Sequence, residues 1–167
     1  ELSIILKFLA GAVGCVILLE LVLQVLPVST ATRSDYYVDP YIKTYPPNSH
    51  FYSSNLWDLR QGNSQKTNSI GFASSAERNT KMPGLALIGD SFVEGSAVPE
   101  PLRVTERLRS YAPEFDTIML GSPGTSLLDY LDRARCAKQH VKADTFVFFV
   151  AMNDGNEAVC GSGQPFR

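Results

Sequence analysis

The stretch LALIGDS, from Leu85 to Ser91, decides the fold, because a short apolar run ends there in a glycine and a polar turn. Two similar apolar runs follow, at residues 117–120 and 145–151. The apolar residues in these runs are continuous rather than alternating, which indicates strands that are buried on both faces, as in a parallel sheet. The sequence therefore predicts an α/β fold with three parallel strands.

Helical patterns separate the three runs. The segment from Leu102 to Tyr111 follows two prolines, and Ser126 with Asp129 forms a capping box at the start of a second helix. The apolar face of this second helix is predicted to consist of Leu127, Leu128, Leu131 and Ala134. Asp129 and Arg133 are expected to pair on its other side. Strands that alternate with helices through short connections predict right-handed crossovers between parallel strands.

The first thirty residues are typical of a membrane anchor. Hydrophobic residues dominate residues 2–28, and the strongly polar exceptions are Lys7, Glu20 and Gln24. About 20 mainly apolar residues cross a bilayer as a helix, so we expect residues 1–30 to be a transmembrane anchor with one helix that stops at Pro27. Glu20 lies toward the end of the span, where it can reach the interface. Its pairing with a cationic residue of a neighbouring helix is the alternative.

Two features of this segment resemble cleavage sites. Ser29-x-Ala31 is similar to a signal-peptidase site, but the apolar region is longer than the roughly 7–15 residues of a signal peptide. Cys15 follows a lipoprotein-like box, but the chain stays apolar after it. We therefore expect an uncleaved signal anchor in a single-pass protein. Lys7 favours a cytoplasmic amino terminus, which places everything after residue 32 outside the cytoplasmic membrane.

Residues 31–83 are predicted to be an irregular connector that packs on the domain. This segment is polar, is interrupted by prolines and glycines, and shows neither a helical nor a strand period. Its aromatic residues are too numerous for a solvated linker: Tyr36, Tyr37, Tyr41, Tyr45, Phe51, Tyr52 and Trp57. We expect them to cover the core, and a sugar-binding aromatic platform is the alternative.

Composition excludes several classes of protein. The net charge of -2 over 167 residues gives no basic excess, so no nucleic-acid partner is expected. Three cysteines are too few for a disulfide framework. No disulfide is expected between Cys136 and Cys160, because the fold would separate them along the sheet unless the loop after Glu157 folds far down it. The chain opens on Glu1 rather than Met and stops at Arg167, so we expect it to be a piece of a longer polypeptide.

Polar loops follow all three predicted strands, at the edge where open α/β sheets bind ligands. Ser91 follows the first strand, the glycine loop 121–126 follows the second, and Asn153 follows the third. A hydroxyl nucleophile beside backbone and carboxamide N–H donors is the arrangement that acyl transfer requires. Asp90 and Asp154 are expected to hydrogen-bond loop backbone, and a shared magnesium ion is the alternative. Otherwise no cofactor or metal is expected: no Gly-Lys-Ser/Thr follows the glycine loop, which excludes a P-loop, and no C-x-x-C pair suggests structural zinc.

The chain from Thr67 to Glu157 resembles the bacterial, membrane-anchored branch of the SGNH (GDSL) hydrolases. The motifs are Thr67-Asn68-Ser69-Ile70-Gly71-Phe72, Leu87-Ile88-Gly89-Asp90-Ser91-Phe92-Val93-Glu94-Gly95, Leu120-Gly121-Ser122-Pro123-Gly124 and Asn153-Asp154. The resemblance implies an α/β/α sandwich, of which residues 84–167 are the amino-terminal half. It also implies that Ser91 is the nucleophile and a backbone donor to the oxyanion, with Gly124 as the second donor and the Asn153 side chain as the third.

This sequence departs from the family pattern in two places. Ala151 stands where the family usually has glycine, and no late Asp-x-x-His, which carries the family's base, is present. The only histidines are His50, in the connector, and His140, which we expect at the opposite edge of the sheet. The base therefore lies beyond Arg167, or the chain is an inactive relative.

The resemblance implies a serine esterase that acts on a glycan or lipid ester of the cell envelope through an acyl-Ser91 intermediate. The same residues would serve an O-acetyltransferase. The alternative class is an inactive SGNH-like subunit of a larger membrane complex. The expected partners are the lipid bilayer, through residues 2–28, an acyl-ester substrate and, in the second class, other transmembrane subunits. The expected location is the bacterial inner membrane, with the globular part periplasmic or extracellular.

Overall fold

A computed structural model describes residues 2–26, 36–39, 41–54 and 62–158 of the chain. Cys160 lies outside these residues, so the expected absence of a Cys136–Cys160 disulfide stays a prediction. The helices and strands are α1 (Leu2–Val25), β1 (Tyr36–Asp39), β2 (Ile42–Thr44), β3 (His50–Ser54), β4 (Gly62–Lys66), β5 (Gly84–Gly89), α2 (Ser91–Glu94), α3 (Val104–Tyr111), β6 (Asp116–Gly121), α4 (Leu127–Cys136), β7 (Thr145–Phe148) and α5 (Asp154–Glu157). A 3₁₀ turn, Glu100–Leu102, precedes α3, and a π-helical turn, Ala137–Val141, extends α4.

Helix α1 is apolar along its length and buries none of its residues in the described part of the chain. At about 1.5 Å per residue the helix is about 36 Å long, which exceeds the roughly 30 Å hydrocarbon core of a bilayer. Gln24 donates a hydrogen bond to Glu20 at 3.2 Å, which partly satisfies that carboxylate. Helix α1 is therefore long and apolar enough to span a membrane; residues 27–30 of the expected anchor lie outside the described residues.

Strands β5, β6 and β7 form a three-stranded parallel sheet in the order β6-β5-β7. All residues of β5 and β6 are buried, as their continuous apolar runs predict. The chain passes from β5 to β6 through α2 and α3, and it returns through α4 to the other side of β5. This arrangement confirms the predicted α/β class and the parallel pairing, and it makes β5 the central strand.

Strand β7 is largely exposed, so the prediction that all three strands are buried on both faces is wrong for this strand. It pairs with β5 alone and is therefore an edge strand of the described sheet. Val147 is 37% exposed and Phe148 is 48% exposed. Because successive side chains of a strand point to opposite faces, apolar surface is exposed on both faces of β7.

Helix α4 buries a different face from the predicted one. Its exposed residues include the three leucines of the predicted apolar face: Leu127, Leu128 and Leu131. The buried positions are Tyr130, Arg133 and Cys136. Arg133 donates hydrogen bonds to the carbonyls of Lys43 at 2.7 Å and Leu120 at 3.1 Å. These bonds offset the cost of burying the guanidinium, so a charged residue takes an inward position that apolar periodicity would not assign to it.

The connector contains two antiparallel strand pairs, β1–β2 and β3–β4, although the sequence predicts an irregular segment. These strands are short and mostly polar, and therefore lack a hydrophobic period. The expectation that aromatic residues cover the core is confirmed for Tyr45 and Phe51, which are buried with their ring centroids 5.0 Å apart. Tyr41 is 70% exposed, and Trp57 lies outside the described residues.

Candidate active site

The turn that carries Ser91 is shaped by the glycine and the aspartate before it. Gly89 ends β5, and a Cβ there would lie 2.4 Å from Cγ2 of Val93, so glycine allows α2 to pack this closely. Asp90 caps α2 and accepts a hydrogen bond from the N–H of Phe92 at 2.9 Å. Ser91 is exposed as the first residue of this one-turn helix. The turn thus presents a serine at the carboxyl end of the central strand.

Gly121, at the end of β6, packs against the same turn. A Cβ at this position would lie 2.7 Å from the backbone N of Glu94 and 2.8 Å from the backbone O of Asp90. The strand register pairs Gly89 with Gly121, so both strands end at the same level. The glycine loop after β6 therefore begins directly beside the Ser91 turn.

We expect Gly121→Ala to lower the free energy of unfolding by about 1–3 kcal/mol, because backbone atoms of the turn would have to move away from the new methyl group. Chemical denaturation of the purified chain in detergent would measure this change. Gly155→Ala is the matched control, since a Cβ at Gly155 meets nothing within 4 Å. Equal stability of the two variants would contradict the close contact.

The loop after β6 is tied to the neighbouring strand and to the connector. The Thr125 hydroxyl lies 2.9 Å from the Ser122 carbonyl and 3.3 Å from the Gly89 carbonyl, and its single hydrogen is shared between these two acceptors. The Ser122 hydroxyl donates to the carbonyl of Lys43, in β2, at 3.1 Å. Gly124 is exposed with φ +68°, and a Cβ there would meet nothing within 4 Å. The loop is thus held at both ends, and its middle borders open space.

The third loop is held by Asp154, which is fully buried at the start of α5. Its Oδ2 accepts hydrogen bonds from the N–H of Ala151 at 2.6 Å and from the Tyr130 hydroxyl at 2.9 Å. Burial, and then the hydrogen bond to Asp154, raise the pKa of the Tyr130 phenol, so this group stays a donor. Asp154 therefore links α4 to the loop that contains the exposed Asn153.

The fold brings the loops with the predicted site residues to one edge of the sheet. Ser91 follows β5, Gly124 follows β6 and Asn153 follows β7, and all three are exposed. Asp90 accepts a hydrogen bond from the backbone N–H of Phe92 in α2, and Asp154 accepts one from the N–H of Ala151 in the third loop. Among the described residues, no group of three His, Cys, Asp or Glu side chains is placed to hold a metal ion. The edge thus combines a hydroxyl with polar N–H donors.

Both histidines of the chain lie outside these three loops. His140 is exposed in the π-helical turn before β7, and it borders a small cavity with Arg78 and Thr117. Since Thr117 lies near the start of β6, this confirms that His140 is at the amino-terminal edge of the sheet. His50 is exposed at the start of β3. The three described loops therefore contain no imidazole to act as a base for Ser91.

The connector supports the site through contacts that the sequence did not predict. Gln65 donates to the Ser96 carbonyl at 2.8 Å, and Ser53 donates to the same oxygen at 3.1 Å, so the β3–β4 hairpin holds the chain just after α2. The Tyr45 hydroxyl donates to Glu94, at the end of α2, at 2.8 Å. These contacts join residues that are far apart in the chain, so no local pattern could have revealed them.

No family model matches the chain, and no curated protein matches it. We therefore describe the class of this protein from its fold and its exposed polar residues alone. The chain is an α/β protein with a three-stranded parallel sheet, a helix apolar enough to span a membrane at its amino-terminal end, and an exposed serine at the carboxyl edge of the sheet.

Proposed function

We propose that the chain is the membrane anchor and amino-terminal half of an SGNH-type serine esterase that acts on a glycan or lipid ester of the cell envelope. The observation that carries this proposal is the placement of Ser91. Its side chain is exposed on a one-turn helix, and the turn is held by close glycine contacts at Gly89 and Gly121. Nucleophiles and ligands of open α/β sheets occupy this edge. The complete domain would be an α/β/α sandwich, with residues 84–167 as its first half.

In the proposed reaction, Ser91 Oγ attacks the ester carbonyl carbon while its proton passes to a base, and the carbonyl oxygen becomes an oxyanion. The backbone N–H groups of Ser91 and Gly124 and the side-chain amide of Asn153 would donate hydrogen bonds to that oxyanion. Collapse of the intermediate releases the alcohol, which takes the proton from the base. Water then hydrolyses acyl-Ser91 through the same steps. An alcohol acceptor in place of water would make the site an O-acetyltransferase.

We place the base in polypeptide that follows Arg167, within an Asp-x-x-His motif. Strand β7 supports this assignment, because its apolar side chains are exposed on both faces and it pairs with β5 alone among the described strands. A further parallel strand, with a helix on each face, would bury Val147 and Phe148 and extend the sheet. Such burial is favourable by about 25 cal/mol per Å² of apolar surface.

Helix α1 would serve as an uncleaved signal anchor in the bacterial inner membrane, with the globular part in the periplasm. Its length, its apolar composition and its lack of buried residues within the described chain support this role. The core helix of a soluble domain would instead bury one face against its neighbours. Lys7 near the start of the helix favours a cytoplasmic amino terminus.

This topology predicts that a cysteine at Ser34→Cys reacts with a membrane-impermeant maleimide in intact spheroplasts. The native cysteines, Cys15, Cys136 and Cys160, would first be replaced by alanine. Glu1→Cys is the matched control, and we expect it to react only after lysis because it precedes the span on the cytoplasmic side. The reverse pattern would contradict the orientation.

A second candidate is a non-catalytic SGNH-like subunit of a larger membrane complex. The positions of His50 and His140, outside the three loops at the carboxyl edge, favour it. Glu20 also favours it, because a carboxylate within α1 could bind a cationic residue of another transmembrane helix.

A further inference from the structure

Glu94 closes the helical turn that carries Ser91. Its N–H donates to the Asp90 carbonyl at 3.2 Å, and the N–H of Gly95 donates to the Ser91 carbonyl at 2.9 Å. The same Glu94 nitrogen faces Gly121 so closely that an added Cβ there would lie 2.7 Å away. A displacement of Glu94 would therefore move Ser91 relative to the glycine loop.

The Glu94 side chain lies in a closed polar pocket between the turn and the connector. It is fully buried, and its Oε1 accepts a hydrogen bond from the Tyr45 hydroxyl at 2.8 Å. Its Oε2 is buried without a hydrogen-bond partner in the described part of the chain. A carboxylate normally requires several donors when it is removed from water, so this pocket fits a neutral carboxyl better than a charged one.

One hydrogen-bonding phenol and two charged groups act on Glu94, and they come from three different elements. Tyr45 lies on the connector, Arg103 precedes α3 and Arg133 belongs to α4. Burial is the largest influence and raises the pKa of Glu94 to about 7, while the Tyr45 hydrogen bond and the two arginines act in the opposite direction. Both arginines donate to backbone carbonyls: Arg103 to Ala73 at 2.8 Å, and Arg133 to Lys43 and Leu120. The Glu94 carboxyl therefore titrates near neutral pH.

We propose that Glu94 is a positioning residue that holds the Ser91 turn against β6 while its buried carboxyl is protonated, and that loss of this proton loosens the turn. The Tyr45 hydrogen bond alone does not replace the hydration that a charged carboxylate loses in this pocket. As a regulatory property of the serine site, this proposal rests on the proposed function. Its effect on the backbone is independent of catalysis and can be measured separately.

The sign of the pH effect follows from proton binding. The closed turn keeps the Glu94 proton up to about pH 7, whereas an opened, hydrated Glu94 loses it near its ordinary pKa of 4.5. The closed state is therefore most stable below about pH 4.5, and its stability falls as the pH rises toward 7. The opening equilibrium constant should increase by up to about tenfold per pH unit in this window and level off above it.

Amide hydrogen exchange of the peptide that covers residues 91–96, in the full chain in detergent, tests this proposal. After correction for intrinsic exchange rates, we expect the opening constant to increase by up to about tenfold between about pH 5.5 and 6.5. Glu94→Gln should abolish this dependence. The control Glu114→Gln, at an exposed glutamate, should retain it. Tyr45→Phe should raise the pH at which the opening constant levels off, because the Tyr45 hydrogen bond lowers the pKa of Glu94 in the closed turn. This second variant keeps the test valid if Glu94→Gln fails to fold.

A pH-independent opening constant in the wild-type chain would overturn the proposal, as would a dependence that persists in a folded Glu94→Gln variant. Neither result depends on a reactive serine. A pH-dependent turn in a chain whose Ser91 never reacts with an esterase probe would therefore refute the proposed function while leaving the role of Glu94 intact.

Discussion

A fluorophosphonate probe is expected to label Ser91 in a longer chain that contains a downstream Asp-x-x-His, and to leave the 167-residue chain essentially unlabelled. The probe reacts with a serine that a base has activated, and the three loops at the site edge contain no histidine. Loss of the histidine from a Ser-His-Asp triad costs about 10⁶ in kcat. Labelling rates measured by intact-protein mass spectrometry should therefore differ by several orders of magnitude.

The matched variants separate the nucleophile from other serines. Ser91→Ala should abolish labelling of the longer chain, whereas Ser110→Ala, at an exposed serine of α3, should leave it unchanged. Labelling that survives Ser91→Ala would mean that another residue is the nucleophile. A folded longer chain that never labels would favour the non-catalytic subunit.

Asn153→Ala is expected to lower kcat/KM for p-nitrophenyl acetate by about 10²–10³ in the longer chain, because it removes one donor to the oxyanion. The melting temperature should change little, since Asn153 is exposed while the neighbouring Asp154 anchors the loop. Steady-state kinetics and thermal unfolding of the same preparations would measure both quantities.

Met152→Ala provides the control for Asn153→Ala, because Met152 is fully exposed in the same loop. We expect its activity to match that of the wild-type chain. An activity loss below tenfold in Asn153→Ala would remove this residue from the proposed oxyanion site. A large fall in melting temperature would instead assign Asn153 a structural role.

The sequence predicted the sheet correctly where an apolar run is also buried in the fold. Strands β5 and β6 are continuous apolar runs, and each is buried because it lies between other elements. The glycines at their ends, Gly89 and Gly121, mark the positions where α2 approaches the strands too closely for a side chain. Ser91 could be placed at the sheet edge for the same reason, because it follows directly on the central strand.

Helix α4 and strand β7 show where local pattern is insufficient. Periodicity assigned the leucines of α4 to the core, but Arg133 is buried instead, and its guanidinium donates hydrogen bonds to backbone carbonyls of β2 and β6. The apolar run of β7 predicted burial, but burial also requires covering elements. Strands β6 and β7 each have one strand neighbour in the described sheet, but α2 and α3 also pack on β6, whereas β5 is the main described element that contacts β7. Both differences depend on partners that the local sequence does not specify.

The support of the candidate site also depends on long-range contacts. The positions of Ser91, Gly124 and Asn153 after strands marked them as site residues in the sequence. Glu94 was only one member of the motif from Leu87 to Gly95, and no role was predicted for it. The contact that distinguishes Glu94 comes from Tyr45, which lies 49 residues earlier in the chain and donates a hydrogen bond to the buried Glu94 carboxyl. A polar connector without hydrophobic period thus contributes to the site in a way that only its packing reveals.

The most direct test of the central claim is to trap the covalent intermediate. The longer chain would be mixed with excess p-nitrophenyl acetate, quenched in acid within one turnover and mapped by peptide mass spectrometry. We predict one acetyl group on the peptide that covers residues 89–95, located at Ser91 and absent from Ser91→Ala. Ester turnover without an acetyl group on Ser91, or with the group on another residue, would contradict the assignment of Ser91 as the nucleophile.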